Sequence, residues 1–297
     1  MPSITLTDGC KIHVRALGRG PTVLLLHGFG LDGRQWLPLA RIWQHKYRFI
    51  IPDLRGHGKS TLGTYDEAHP IERLAQDVCE IREQFQLGDE LKIAGYSMGA
   101  MVGMAHLCSP ERPRVAHYLH IEMGPRFAHS PDWSFGFHKG VTADALHLVD
   151  THKQQGWSHE SRWLYERLLL RLMWEAFPHG FLRMFAKHLP LAAAQLSKAH
   201  PDLSIKLYGH LVTEGFDFRS AIQSLHVPAT IAYGAQSRYF HEGSSLWMHR
   251  NWHGSELVRF DRSGHGLMVS EPHRFARLFA KFLGEAPSLA VPQAEPA

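Results

Sequence analysis

Gly95-Tyr96-Ser97-Met98-Gly99 sets a serine between two glycines two positions either side of it. An apolar run, Leu91–Ala94, precedes it and a segment of helical character, Met98–Cys108, follows. A serine hydroxyl is a weak nucleophile until a base takes its proton. A sharp strand-to-helix turn strains the backbone of the residue at its apex, and neighbours without side chains relieve the crowding. Such a turn lifts the hydroxyl clear of the sheet. It also aims the helix N-terminus, with its free N–H groups, at negative charge developing beside the serine. The five-residue pattern alone is weak and arises by chance. Here strand, turn and helix agree, and Ser97 is read as the nucleophile.

The turn needs a scaffold, and the chain is long enough for one. It has 297 residues, 44% hydrophobic and 20% charged, ordinary for a globular protein. The net charge of +4 is spread without a Lys/Arg block, so no nucleic-acid partner is read. The three cysteines, Cys10, Cys79 and Cys108, are odd in number and far apart, which argues against a disulfide framework and suits a reducing cytoplasm. No signal-peptide pattern and no run of eighteen apolar residues is visible, so no membrane insertion is expected. The 23 histidines lack the spacing of a metal site and read mostly as surface or helix-end residues. Neither a metal nor a cofactor is expected.

Short apolar runs alternate with helical patterns, which predicts an α/β fold with helices on both faces of a mostly parallel sheet. Ser3–Leu6 and Lys11–Ala16 flank Asp8-Gly9 as an opening hairpin. Thr22–Leu26, Tyr47–Pro52, Leu91–Gly95, Val115–Glu122, Ala229–Gly234 and Glu256–Asp261 read as the remaining strands. Ile71, Leu74, Val78, Ile81 and Phe85 recur at helical steps, and Arg274–Leu283 reads as a closing helix. Residues 125–215 break the alternation. They carry no good strand and are rich in aromatics, among them Trp133, Phe135, Phe137, Trp157, Trp163, Trp174, Phe177, Phe181 and Phe185. The predicted organisation is a core of residues 1–124 and 216–284, a helical cap of 125–215 inserted after the sixth strand, and a disordered tail of 285–297.

Leu24-Leu25-Leu26-His27-Gly28-Phe29-Gly30 ends a buried strand in a His-Gly pair. Asp53-Leu54-Arg55-Gly56-His57-Gly58-Lys59-Ser60 forms the turn after the fourth strand. With the serine turn, these motifs resemble the α/β-hydrolase superfamily, which implies an eight-stranded sheet. The resemblance implies that Phe29 and Met98 lend backbone N–H groups to an oxyanion hole, worth a few kcal/mol to a transition state. It implies structural roles for His27, Asp53 and Arg55. Ser263-Gly264-His265-Gly266, followed by Glu271-Pro272, resembles the loop that carries the family's general base. Histidine suits that task, since it takes and returns a proton near neutral pH. His265 also stands last in the order nucleophile, acid, base.

The acid departs from the family pattern. Most members carry an Asp on the loop after the seventh strand, and Ser237 stands there in Ala235-Gln236-Ser237-Arg238. A serine cannot ionise to stabilise an imidazolium. Glu122, at the end of the sixth strand in His120-Ile121-Glu122-Met123-Gly124-Pro125, is the best replacement. The two strand ends lie side by side, and some relatives, including a subset of haloalkane dehalogenases, take their acid from this strand. Asp261, Glu242 or no acid at all are the alternatives.

Within the cap, Trp163, Leu164, Leu168, Leu172, Phe177 and Phe181 fall at helical spacing. Packing accounts for most of them, and some are expected to line an apolar substrate pocket. Arg162, Arg167 and Arg171 form either a cationic rim or a solvated face. The expected function is cleavage of a carboxylic ester, or a related acyl bond, of an apolar small molecule through an acyl-enzyme on Ser97. A cofactor-independent oxygenase or lyase, an acyltransferase and a silent ligand-binding protein are the alternatives.

Overall fold

The computed structural model describes residues 3–64, 69–109, 114–177 and 198–285. The proposed tail beyond Glu285 and the aromatics Phe181 and Phe185 lie outside the described residues. Eight strands form one sheet: β1 (Ser3–Thr5), β2 (Lys11–Gly18), β3 (Thr22–Leu26), β4 (Arg48–Pro52), β5 (Lys92–Tyr96), β6 (His117–Ile121), β7 (Ala229–Gly234) and β8 (Ser255–Phe260). Their spatial order is β1-β2-β4-β3-β5-β6-β7-β8. The β1–β2 and β2–β4 pairs are antiparallel, and every pair from β4 to β8 is parallel.

The unbroken apolar runs of the central strands follow from burial on both faces. Along β3, Leu24 and Leu26 enter one core while Val23 and Leu25 enter the other. The first core packs under α2 (Pro70–Gln84) and α3 (Met98–Leu107). The second packs under α1 (Leu37–Trp43) and the closing helix (Pro272–Leu283), where Trp36, Trp43, Phe49 and Phe279 meet.

Between β6 and β7 the chain leaves the sheet. It forms α4 (Lys139–Gln155), α5 (His159–Glu175) and α6 (Pro201–Thr213). Leu164, Leu168 and Leu172 of α5 are buried in the first core, whereas Trp163 is 55% exposed. Arg167 and Arg171 both reach Asp144 of α4, and Arg167 lies over the Trp163 ring, so these two cations bind helix to helix. His138, His200 and His241 cap helix N-termini with a ring nitrogen. Another six, His13, His27, His57, His106, His120 and His265, are buried among the described residues.

Candidate active site

Ser97 stands between β5 and α3 with φ 53° and ψ −119°, in the left-handed half of the map that side chains disfavour. The flanking glycines permit this. A Cβ on Gly99 would lie 2.3 Å from the Leu26 carbonyl oxygen, and one on Gly95 would lie 2.4 Å from the carbonyl oxygen of Gly99. Strand, turn and helix can therefore approach only through bare backbone. Ser97 N–H donates to the Ile121 carbonyl at 2.8 Å, which ties the turn to the end of β6.

Glu122 follows Ile121 directly and also has a positive φ, 55°. The turn buries its side chain at the junction of β6 and β7. Its Oε1 accepts from the Gly234 N–H, and its Oε2 accepts from the Ser237 hydroxyl at 2.8 Å and from His265 Nδ1 at 3.0 Å. The carboxylate is thus held by three donors, one from the end of β7 and two from loops. Ser237, at the position where the family pattern expects an acid, supplies one of them. Gly234 is bare for a second reason: a Cβ there would lie 2.2 Å from the Gly264 carbonyl oxygen, inside the His265 loop.

His265 is buried against two tyrosines. Tyr96 donates its hydroxyl to the His265 carbonyl at 3.1 Å, with ring centroids 5.1 Å apart. The Tyr239 ring lies closer, at 4.1 Å and tilted by 36°. A carboxylate accepts only, so Nδ1 carries the proton toward Glu122 and Nε2 is left as the basic nitrogen. Asp261 is elsewhere, 61% exposed and paired with Arg259 and Arg274, and Glu242 pairs with Arg259.

Met98 opens α3, whose first N–H groups have no acceptor within the helix. Phe29 lies on the loop after β3. His27 fixes that loop: its Nε2 accepts from the Leu54 N–H and its Nδ1 meets the Gly28 carbonyl, both at 2.8 Å. The Phe29 ring packs edge-on against His57 and Tyr208. Asp53 is buried and accepts from Arg15, Gly33 N–H and Lys59 N–H, while Arg55 pairs with Asp77 and Asp8. Both serve the architecture of the turn.

Phe29, Ser97, Met98 and His265 line one cavity of about 300 Å³. Its other walls are largely apolar, from Met101 and Met123 of the core to Leu169, Leu172 and Met173 of α5, Ala176 just beyond it, and Leu207 of α6. The sequence indicated the polar groups and an apolar pocket. It did not indicate Tyr208 or Tyr239, whose places depend on how the inserted helices sit. The tyrosine two residues beyond Ser237 was the available signal.

A strand-turn-helix serine, a buried carboxylate–imidazole contact and a doubly wound sheet together define a hydrolase of the α/β type. The chain belongs to the alpha/beta hydrolase family, whose model matches residues 23–278. It is similar to the AB hydrolase superfamily protein YisY of Bacillus subtilis (strain 168), with 24% identity over 94% of this chain and 97% of that protein. It is also similar to the pimeloyl-[acyl-carrier protein] methyl ester esterase of Legionella pneumophila (strain Corby), with 23% identity over 92% of this chain and 99% of that protein. Among solved structures, an esterase from Exiguobacterium antarcticum shares the fold with a TM-score of 0.77 and 24% identity, over 95% of this chain and 99% of the other.

Proposed function

We propose that the protein is a carboxylic-ester hydrolase working through an acyl-enzyme on Ser97. The observation that carries this reading is the contact of His265 Nδ1 with the Glu122 carboxylate at 3.0 Å, beside an apolar cavity that Ser97 also lines. The relatives named as methyl ester esterases support the choice of an ester.

In this reading His265 Nε2 takes the Ser97 proton as the hydroxyl attacks the acyl carbonyl. Glu122 stabilises the imidazolium and holds its tautomer. The N–H groups of Phe29 and Met98 receive the oxyanion, each worth a few kcal/mol to the transition state. The imidazolium then protonates the departing alcohol, and water activated by the same nitrogen releases the acid. Residues 125–215 act as the cap over a core of 1–124 and 216–284, and the apolar walls favour a neutral acyl group. Cys10, Cys79 and Cys108 form no disulfide among the described residues, which suits a reducing compartment such as the cytoplasm. No helix among the described residues is long and apolar enough to cross a membrane.

The test pairs a fluorophosphonate probe with p-nitrophenyl ester turnover. Wild type should label and turn over, while Ser97→Ala should do neither at a measurable rate. Esterase activity persisting in Ser97→Ala would remove the acyl-enzyme from consideration.

A further inference from the structure

The loop after β7 touches two parts of the molecule in three successive residues. Ser237 donates to Glu122, Arg238 pairs with Glu175 at 2.8 Å, and the Tyr239 hydroxyl donates to the Leu172 carbonyl. Leu172 and Glu175 lie in the last turn of α5. The His265 loop reaches the chain just beyond that turn: the Gly266 N–H donates to the Ala176 carbonyl at 2.9 Å. A Cβ on Gly266 would lie 2.4 Å from the Phe177 ring. The same end of α5 walls the cavity with Leu169, Leu172 and Met173, joined by Ala176 just beyond it. An acyl group filling the cavity therefore presses on the turn to which Tyr239 is tied, and the Tyr239 ring backs the imidazole.

We infer that Tyr239 is a positioning residue that transmits occupancy of the α5 wall to His265. The inference rests on the reading of His265 as the base. Its hydroxyl holds the ring to α5, and its ring holds the imidazole in register with Ser97. Binding energy gained by the acyl chain at α5 then appears in the rate of the chemical step and not only in affinity. The device makes acyl-chain length a determinant of kcat.

The experiment compares wild type, Tyr239→Phe and Tyr239→Leu on p-nitrophenyl acetate, butyrate and hexanoate, normalised to fluorophosphonate-titrated sites. In wild type kcat should rise severalfold from acetate to hexanoate while KM falls. Tyr239→Phe keeps the ring and loses the tether, so KM should still fall but kcat should become flat across the series. Tyr239→Leu loses ring and tether together, so its kcat should be flat as well and lower than that of Tyr239→Phe for every ester. A residue with only a packing role would lower the yield of active sites and leave both patterns intact. A wild-type kcat that is flat with chain length, or a Tyr239→Phe kcat reduced by one factor for all three esters, would overturn the inference. If Tyr239→Leu does not fold, the Tyr239→Phe series decides. Activity retained in a His265→Ala variant would instead mean that the base was misassigned, a separate failure.

Discussion

Glu122 makes more contacts than pairing with one imidazole alone requires. Three donors converge on one carboxylate, and two of them, Ser237 and Gly234, come from the loop and strand where the family pattern expects the acid itself. In the isosteric Glu122→Gln variant the amide offers no charge to the imidazolium and can present an N–H where His265 needs an acceptor. Its kcat should fall about 10³-fold or more. Its thermal midpoint should stay within a few degrees of wild type, and near-normal turnover would sink the assignment. Ser237→Ala removes a single donor to a charged group, and kcat should fall about tenfold in a steady-state assay. The sequence offered Ser97, His265 and Glu122 as candidates because each belongs to a local pattern or stands where that pattern has a gap. It could not disclose the positive φ of Glu122 or the hold of Gly234 and Ser237 on its side chain, because both depend on how β6 and β7 meet.

At the scale of elements, the central strands were legible because burial on both faces writes an unbroken apolar run. The observed bounds of β3 and β7 coincide with the residues read as strands, and the others differ by a residue or two at either end. Several short helices were not read, among them α1 and the helix Glu242–Asn251. The α1 segment has seven residues, and the helix Glu242–Asn251 buries only Ser244, Ser245 and Met248, which leaves no apolar stripe to detect. The contact of α3 with β3 is similarly silent in sequence, because it is made by absence of a side chain at Gly99. Gly99→Ala would drive a methyl group into the carbonyl oxygens of Leu26 and His27, 2.3 and 2.7 Å away. Backbone cannot step aside as a flexible side chain can. The variant should lose about 2–4 kcal/mol in a urea titration, and an unchanged midpoint would show that α3 can shift.

For the whole molecule, the interior histidines set the response to acid. Burial holds the His57 imidazole down to about 3, helped by His27 beside it, and holds His120 down to about 4. Burial also lowers His27. In the unfolded chain each would titrate near 6.5. The folded state therefore favours the neutral rings, and the unfolded state binds more protons as pH falls. This contribution is complete above about pH 6.5 and is lost progressively toward pH 3–4, at up to roughly 1.4 kcal/mol per pH unit for each ring. Chemical denaturation should show stability declining from pH 6.5 to pH 5, before ordinary carboxylates begin to titrate. Stability that stayed level across that interval would contradict it. In the sequence most histidines read as surface or helix-end residues, and which rings lie inside was not readable, since burial is a property of the packed chain.

The meeting of Ser237 and Glu122 at 2.8 Å gives the site two addresses for one negative charge. A lineage can move the acid from one strand to the other by passing through a surplus rather than a gap. With a carboxyl at both positions, two like charges in contact share a proton, so a single net charge still faces the base. Losing either carboxyl afterwards leaves the other in service. The opposite order, through a site holding none, crosses an inactive state. Ancestral sequences on the path between the two arrangements would then carry acids at both positions.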